Sequence, residues 1–258
     1  MKDLTDQKDL TDQKDYKQKD RCTLVLLAAG KGLRMGGDTR KQYMNFKGMP
    51  LFAYSLATMD NCGIITDILI TVPEGDEEFC REMVEACGLG RKVRKIVSGG
   101  KERCFSVHNG LQAIDWPCDY VFIHDSARPF IEEQAIRRLY DEVKTHKACV
   151  AGVPSKDTVK IADSEGFVKN TPNRRDVWII QTPQVFNFEM IRKAYEEMVA
   201  SYDDLQRKGV IVTDDAMVVE YFTGCRVKLV MASYSNIKVT TPEDLVTVSA
   251  YLKENSDE

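Results

Sequence analysis

At 258 residues and a formal net charge of −4, the chain is long enough for one sizeable core and lacks the broad basic field that nucleic acid would need. No apolar run approaches a membrane span and the N-terminus has no apolar signal core, so a cytoplasmic protein with neither a membrane nor a nucleic-acid partner is expected. The eight cysteines, Cys22, Cys62, Cys80, Cys87, Cys104, Cys118, Cys149 and Cys225, form no C-x-x-C pair and are scattered over predicted elements, which points to reduced thiols and not to a zinc site or disulfide framework.

The chain opens on a repeat, Lys2-Asp-Leu-Thr-Asp-Gln7 and Lys8-Asp-Leu-Thr-Asp-Gln13, followed by a degenerate copy. So charged and apolar-poor a segment cannot bury enough surface to offset its ordering entropy. Residues 1–20 are therefore expected to be a disordered leader, with the folded domain spanning 21–253 and a tail at 254–258. Leu24–Ala29 reads as a buried strand. It runs into a loop carrying Gly30, Gly32, Gly36 and Gly37, with Lys31, Arg34, Arg40 and Lys41 threaded through it. Bare backbone N–H groups among cations suit a polyphosphate, and a nucleoside triphosphate is the expected occupant. The loop is not a P-loop, because Gly36 is followed by Gly37 and not Lys. Nor is it a dinucleotide fingerprint, because Met35 takes the third glycine position and no acid closes the next strand. That argues against the rival reading of a dinucleotide-dependent oxidoreductase.

Helical spacing is predicted for Pro50–Met59, Gly75–Cys87, Glu102–Ile114, Glu132–Thr145, Asn187–Asp203 and Asp214–Phe222. Strands are predicted for Ile64–Val72, Val93–Val97, Asp119–His124, Ala148–Val153 and Arg226–Met231. Thr241, Pro242 and the acids after them start a last helix. Strands alternating with helices imply crossovers and a mainly parallel sheet. The rhythm breaks between Ser155 and Val185, where Thr158–Ala162 and Gly166–Thr171 flank Asp163-Ser-Glu-Gly166 as a hairpin. Such an arm, about residues 155–180, projects from the sheet and needs a covering surface; a second copy of the chain is the simplest.

Ligands of open α/β sheets bind beyond the carboxyl ends of the strands, and polar segments recur there. They are the glycine loop, Ser98–Ser106, His124–Pro129, Gln181–Gln184 and Ser235–Thr240. His124 reads as a residue that orders its loop beside Asp125 and not as a proton carrier. His108 and His146 read as surface or helix-face residues.

The motifs L-A-A-G-K-G-x-R-M-G, K-Q-Y, S-G-G-x-E-R-x-x-S-V, H-D-S-A-R-P, D-T-V-K, T-P-Q, V-T-D-D-A and N-I-K-V-T-x-P-E-D-L together resemble the 2-C-methyl-D-erythritol 4-phosphate cytidylyltransferase family, from about Arg21 to Leu252. The resemblance implies a single Rossmann-like, nucleotidyltransferase-type three-layer α/β domain with a mainly parallel sheet and a projecting hairpin arm. It implies transfer of CMP from CTP to 2-C-methyl-D-erythritol 4-phosphate, giving CDP-methylerythritol and pyrophosphate in non-mevalonate isoprenoid synthesis, with Mg²⁺ held mainly by the CTP phosphates and no committed protein ligand. A ribitol 5-phosphate cytidylyltransferase is the alternative in the same chemistry, and a non-catalytic nucleotide sensor one outside it. By motif, Arg34, Lys41, Arg174 and Lys238 are expected to be catalytic. Ala28, Ala29, Gly30, Lys31, Gly32, Gly100, Ser106, Asp125 and Ser126 are expected to hold CTP. Asp125, Arg128, Thr158, Arg174, Thr182, Thr213 and Lys238 are expected to hold the acceptor, with Thr158 and Arg174 reaching the neighbouring subunit of a homodimer. Two departures stand out: Arg40 where the family commonly has Pro, and Lys101 where some members have Asp.

Overall fold

The computed structural model describes residues 20–30 and 40–254; the expected leader, apart from Asp20, lies outside them, as do residues 255–258. β1 (Cys22–Leu27) is followed by a small ladder of β2 (Asn45–Phe46) and β3 (Met49–Pro50), then α1 (Leu51–Asn61), β4 (Asp67–Val72), α2 (Glu77–Ala86), β5 (Val93–Ser98) and α3 (Arg103–Gln112). β6 (Tyr120–Asp125), α4 (Glu133–His146) and β7 (Ala148–Pro154) come next. The short pair β8 (Ile161–Ala162) and β9 (Val168–Asn170) leads to β10 (Trp178–Asn187). The chain ends with α5 (Phe188–Ala200), α6 (Tyr202–Arg207), α7 (Asp215–Thr223), β11 (Lys228–Met231) and α8 (Pro242–Glu254).

The main sheet has seven strands among the described residues, in the order β11-β7-β10-β6-β1-β4-β5. β10 is antiparallel to both of its neighbours, and the other pairings are parallel. The expected mainly parallel sheet is present, with one central strand reversed.

Period-two alternation assigns each strand residue to a face. Cys22, Leu24 and Leu26 of β1, Ile68, Ile70 and Val72 of β4, and Phe122 of β6 pack under α1, α2 and α4. Val25, Leu69, Val121 and Ile123 point the other way, into a second core with α3, α5, α6 and α7. Strands buried on both faces read as continuous apolar runs, which is why they were legible. Each such Leu, Ile or Phe contributes about 1.5–3 kcal/mol of burial. Trp116 adds a buried polar link, its Nε1–H donating to Thr23 Oγ1 at 3.0 Å.

Three local readings change. The helix expected over Asn187–Asp203 divides at Ser201 into α5 and α6. The strand expected from Ile64 begins at Asp67, whose carboxylate receives Arg21 (2.9 Å) and Arg94. β10 itself is an additional strand, unread because Gln181-Thr-Pro-Gln184 breaks its apolar pattern; the register shifts between Ile180 and Gln184, and a bulge is where a sheet tolerates proline.

A hairpin lies within the expected arm, but its strands shrink to Ile161–Ala162 and Val168–Asn170, and the arm ends before Trp178, because Trp178–Ile180 already pair with β7 in the main sheet. Ser155 N–H donates to Val177 O (2.9 Å) to close its stem. Asp163 Oδ1 accepts from the N–H groups of Glu165 and Phe167, and Gly166 takes φ +88°, a conformation that favours glycine. Ile161, Phe167, Val168 and Ile179 are all exposed, Phe167 at 68%. The eight cysteines are free thiols. No helix among the described residues is long and apolar enough to cross a membrane.

Candidate active site

β1 and β6 lie side by side with Leu27 opposite Asp125, so the segments that leave them emerge together at the carboxyl end of the sheet. Backbone bonds extend the ladder past the strands: Ala28 N–H to Thr71 O (2.8 Å), Ser126 N–H to Leu27 O (3.0 Å) and Gly99 N–H to Val72 O (2.7 Å). Gly99 and Gly100 are demanded by close approach. A Cβ on Gly99 would meet Ala29 Cβ at 2.4 Å, and one on Gly100 would meet Phe105 Cβ at 2.3 Å. The turn is tied to α3 by Ser106, whose Oγ accepts from Gly100 N–H (3.0 Å) and donates to Glu102 O (3.2 Å).

Two cavities open here. The first, about 410 Å³, is lined by Ala28, Ala29, Gly30, Gly100, Ser106 and Ser126, and also by Gln42 and Lys101. The second, about 330 Å³, is lined by Arg128, Gln181, Thr182, Gln184 and Thr213. They share Arg103, Asp125 and Lys238, so these three side chains form the wall between them.

That wall is an ionic relay. Lys238 Nζ donates to Asp125 Oδ2 at 2.5 Å, and Arg103 Nε donates to Asp125 Oδ1 at 3.0 Å. Burial alone would raise the Asp125 pKa, but the charges of Arg103 and Lys238 outweigh it and hold the carboxyl well below the usual range. The remaining side of the Arg103 fork makes a bidentate pair with Asp215, at 2.9 and 2.8 Å. Asp215 is fully buried and also accepts the Tyr195 hydroxyl at 2.5 Å. Removing one partner of a buried pair like this costs about 3–5 kcal/mol.

His124 is completely buried, and burial lowers its pKa to about 4, so it is neutral near pH 7. Its Nε2 lies 3.2 Å from Arg128 O, a carbonyl, so Nε2 carries the proton. Nδ1 is then the acceptor and the Thr182 hydroxyl, 3.0 Å away, donates to it. Thr182 Oγ1 also accepts the Asp125 N–H at 3.0 Å. His124 is thus a loop organiser, consistent with its position beside Asp125. The segment bearing Lys238 is docked by Val239 N–H to Ala127 O (2.8 Å) and by Asn236 Nδ2 to Gln181 Oε1 and Thr182 O, both 2.9 Å.

The structure therefore brings Ala28, Ala29, Gly30, Gly100, Ser106, Asp125, Ser126, Arg128, Thr182, Thr213 and Lys238 to adjoining cavities. Thr158 and Arg174 line neither; both are exposed on the arm, where Arg174 donates to Lys156 O at 3.3 Å. Lys31, Gly32 and Arg34 lie outside the described residues, and so does the side chain of Lys41. Arg40 is ion-paired with Asp76 at the start of α2, so its extra charge is neutralised locally. Lys101 stands over the rings of Phe105 (4.7 Å) and Tyr202 (4.9 Å). Its neighbour Glu102 accepts the Tyr202 hydroxyl. Sequence reading gave Arg103 no role. Its only signal was the S-G-G-x-E-R motif, and its partner Asp215 lies 112 residues away.

The chain is similar to known proteins over most of its length. The family model for 2-C-methyl-D-erythritol 4-phosphate cytidylyltransferase matches residues 22–254. A protein of that name from Lachnoclostridium phytofermentans is 43% identical over 239 residues, 92% of this chain and 99% of its own. One from Desulforamulus reducens is 41% identical over 89% of this chain and 94% of its own. Among solved structures, 4-diphosphocytidyl-2C-methyl-D-erythritol synthase from Anaerococcus prevotii superposes with a TM-score of 0.79 at 34% identity, covering 91% of this chain and 96% of its own. The Thermus thermophilus enzyme gives 0.70 at 27%, covering 90% and 99%.

Proposed function

Because the chain belongs to the 2-C-methyl-D-erythritol 4-phosphate cytidylyltransferase family, we propose a division of labour in which its first cavity takes CTP, its second takes the acceptor, and the Arg103–Asp125–Lys238 wall is where they react. The enzyme is a nucleotidyltransferase that transfers CMP from CTP to 2-C-methyl-D-erythritol 4-phosphate, giving CDP-methylerythritol and pyrophosphate in the non-mevalonate isoprenoid pathway. The observation that carries the division is the pair of adjoining cavities sharing one cationic wall.

A phosphate oxygen of the acceptor attacks the α-phosphorus of CTP in line, and pyrophosphate leaves. The nucleophile is already largely ionised at neutral pH, so no protein base is required; positioning and cationic stabilisation lower the barrier. In this reading Ala28, Ala29, Gly30, Gly100, Ser106 and Ser126 form the nucleoside pocket. Lys31 and Gly32 continue the phosphate loop, and Arg34 and Lys41 act at the α-phosphorus. Lys238 steers the attacking phosphate, Asp125 and Arg128 face the junction, and Thr182 and Thr213 line the acceptor side. The arm of a second copy brings Thr158 and Arg174 to the acceptor phosphate, which also gives the exposed Phe167 and Val168 a partner.

A divalent cation, Mg²⁺, fits as a group carried by the nucleotide. Among the described residues no three His, Cys, Asp or Glu side chains converge on one point, and both Asp125 oxygens already hold a cationic donor. When bound, such an ion neutralises charge on the triphosphate and the leaving group. The free thiols suit a reducing compartment, and we assign the enzyme to the cytoplasm.

Pyrophosphate release from CTP, measured with methylerythritol phosphate and with ribitol 5-phosphate, tests the assignment. Methylerythritol phosphate is expected to be the better acceptor, and Arg34→Ala or Lys41→Ala to cripple turnover while the fold survives. Equal or better use of ribitol 5-phosphate, or near-normal rates in both variants, would overturn it.

A further inference from the structure

We propose that Arg103 is the positioning residue of this active site: clamped from behind by Asp215 and Tyr195, it holds the Asp125 carboxylate, and through it Lys238, at the boundary between the two cavities. The inference rests on the reading of that boundary as the place of reaction.

Four observations carry it. First, Arg103 opens α3 and lines both cavities, so any shift of its guanidinium is felt on both sides. Second, its donors are divided in one plane: Nε goes to Asp125 and the fork to both oxygens of Asp215. A planar guanidinium with fixed donor directions fits that geometry, and a lysine ammonium cannot span it. Third, Asp215 lines neither cavity. It is fully buried, and both its oxygens are occupied, one by Arg103 alone and the other by Arg103 together with Tyr195. A buried carboxylate is a poor choice for stability alone, since apolar residues of similar volume commonly do as well; orientation of Arg103 is what this one supplies. Fourth, Asp215 is itself held. Its N–H and that of Ala216 both donate to Gln184 Oε1, at 3.1 and 2.9 Å, and Gln184 Nε2 donates to Asp214 Oδ2 at 3.0 Å. The relay Tyr195–Asp215–Arg103–Asp125–Lys238 thus ties α5, α7, α3, β6 and the segment before α8 to one point.

The groups facing the Asp125 carboxylate are Arg103 from α3, Lys238 from the segment before α8, Arg128 from the loop after β6 and neutral His124 beside it on β6. From β10 the Thr182 hydroxyl meets its N–H and not its carboxylate. Loss of the Arg103 charge removes one of the two cations in contact, so Asp125 protonates at higher pH. Its own titration, followed by carboxyl carbon NMR, then moves up toward the ordinary aspartate value of about 3.9; the acid limb of the rate is set by the acceptor phosphate, at about pH 6, and does not report it.

The test is steady-state pyrophosphate release by the full-length enzyme carrying Arg103→Lys, Arg103→Gln or Tyr195→Phe, with kcat and both KM values recorded, beside the Asp125 carboxyl titration read by carbon NMR. Arg103→Lys is expected to lose about 10²-fold in kcat, as misplacement of reacting groups does, with no rescue relative to Arg103→Gln. Arg103→Gln should raise the Asp125 titration midpoint. Tyr195→Phe, remote from both cavities and nearly isosteric, should lower kcat about fivefold, less than the roughly tenfold or more of a full hydrogen bond to a charged group, because it acts only through Arg103. A folded Arg103→Lys enzyme with wild-type kcat would overturn the proposal. So would an unmoved Asp125 titration in Arg103→Gln. If the Arg103 variants do not fold, Tyr195→Phe decides: a fall in kcat supports the proposal, and wild-type kcat sinks it. Wild-type kcat in Asp125→Asn and Lys238→Ala would defeat the underlying reading of the boundary. Loss of activity in those two beside an unaffected Arg103→Lys defeats this inference alone.

Discussion

Replacing Lys238 by Ala is the sharpest perturbation of the two-cavity site, because this side chain touches both cavities while contributing little to folding. Its ammonium lies 2.5 Å from Asp125 Oδ2 but the side chain is 39% exposed, so the pair is solvent-screened and adds at most about 1 kcal/mol to stability. The melting temperature should fall by no more than a few degrees, given that ~1 kcal/mol corresponds to roughly 2–4 °C in a domain of this size. Activity is a different matter. One charge-assisted contact to the attacking phosphate contributes about 1.5–3 kcal/mol, and about 1.4 kcal/mol is tenfold in rate. The expected loss in kcat/KM for the polyol phosphate is therefore roughly tenfold to a hundredfold. The assay is initial-rate pyrophosphate release with the acceptor varied at saturating CTP, then with CTP varied. The acceptor kcat/KM should carry the loss, and the CTP KM should stay within about twofold, an interval below one hydrogen bond. Wild-type kcat/KM for the acceptor in a folded variant would refute the reasoning, and so would a loss confined to the CTP KM.

The further predictions concern pH and the arm. His124 has a folded-state pKa of about 4 against a reference of 6.5, so its stabilising contribution is complete above pH 6.5 and is lost as pH falls toward 4. The total is on the order of 3 kcal/mol. Urea midpoints followed across that window should decline, and His124→Gln should flatten the decline; an unchanged slope would show that another group is responsible. Asp125 acts in a lower window, its contribution being present above its reference of 3.8 and lost as pH drops below that value. On the arm, Phe167→Glu with Val168→Glu places charge on the most exposed apolar surface of the hairpin. Sedimentation should report monomers and the acceptor KM should rise, whereas an unaltered sedimentation coefficient argues against an arm-mediated dimer. Mixing Arg174→Ala with Lys41→Ala subunits should restore part of the activity through hybrid sites, and no recovery would count against sites shared between chains.

The elements that were legible are those whose burial is uniform. Strands such as Asp67–Val72 and Tyr120–Asp125 are covered on both faces, so their central residues, 68–70 and 121–123, are apolar whichever way they point, and a run of such residues needs no partner to be recognised. The helix starting at Pro242 is legible for a local reason too: Asp244 Oδ2 accepts from the N–H groups of Thr240 and Thr241, at 2.7 and 2.9 Å, a cap written within five residues. β10 was not legible, because its middle gives up apolar side chains to place Gln181, Thr182 and Gln184 at the site. Its strand character comes from pairing with β6 and β7 and not from its own pattern.

The amino-acid order alone determined where strands and helices alternate, which segments carry glycines and cations, and that these fall at the carboxyl ends of strands; each of those properties is local. It could also be matched, motif by motif, to a family. Only the tertiary structure decided that Arg103, Asp125 and Lys238 form one wall between two cavities, and that Arg103 faces Asp215. It also made His124 a neutral clamp and left Lys101 over two aromatic rings. These depend on Coulombic and hydrogen-bond contacts between residues as far as 113 positions apart. Such energies are set by distance and burial in the folded chain, for which sequence spacing carries no record.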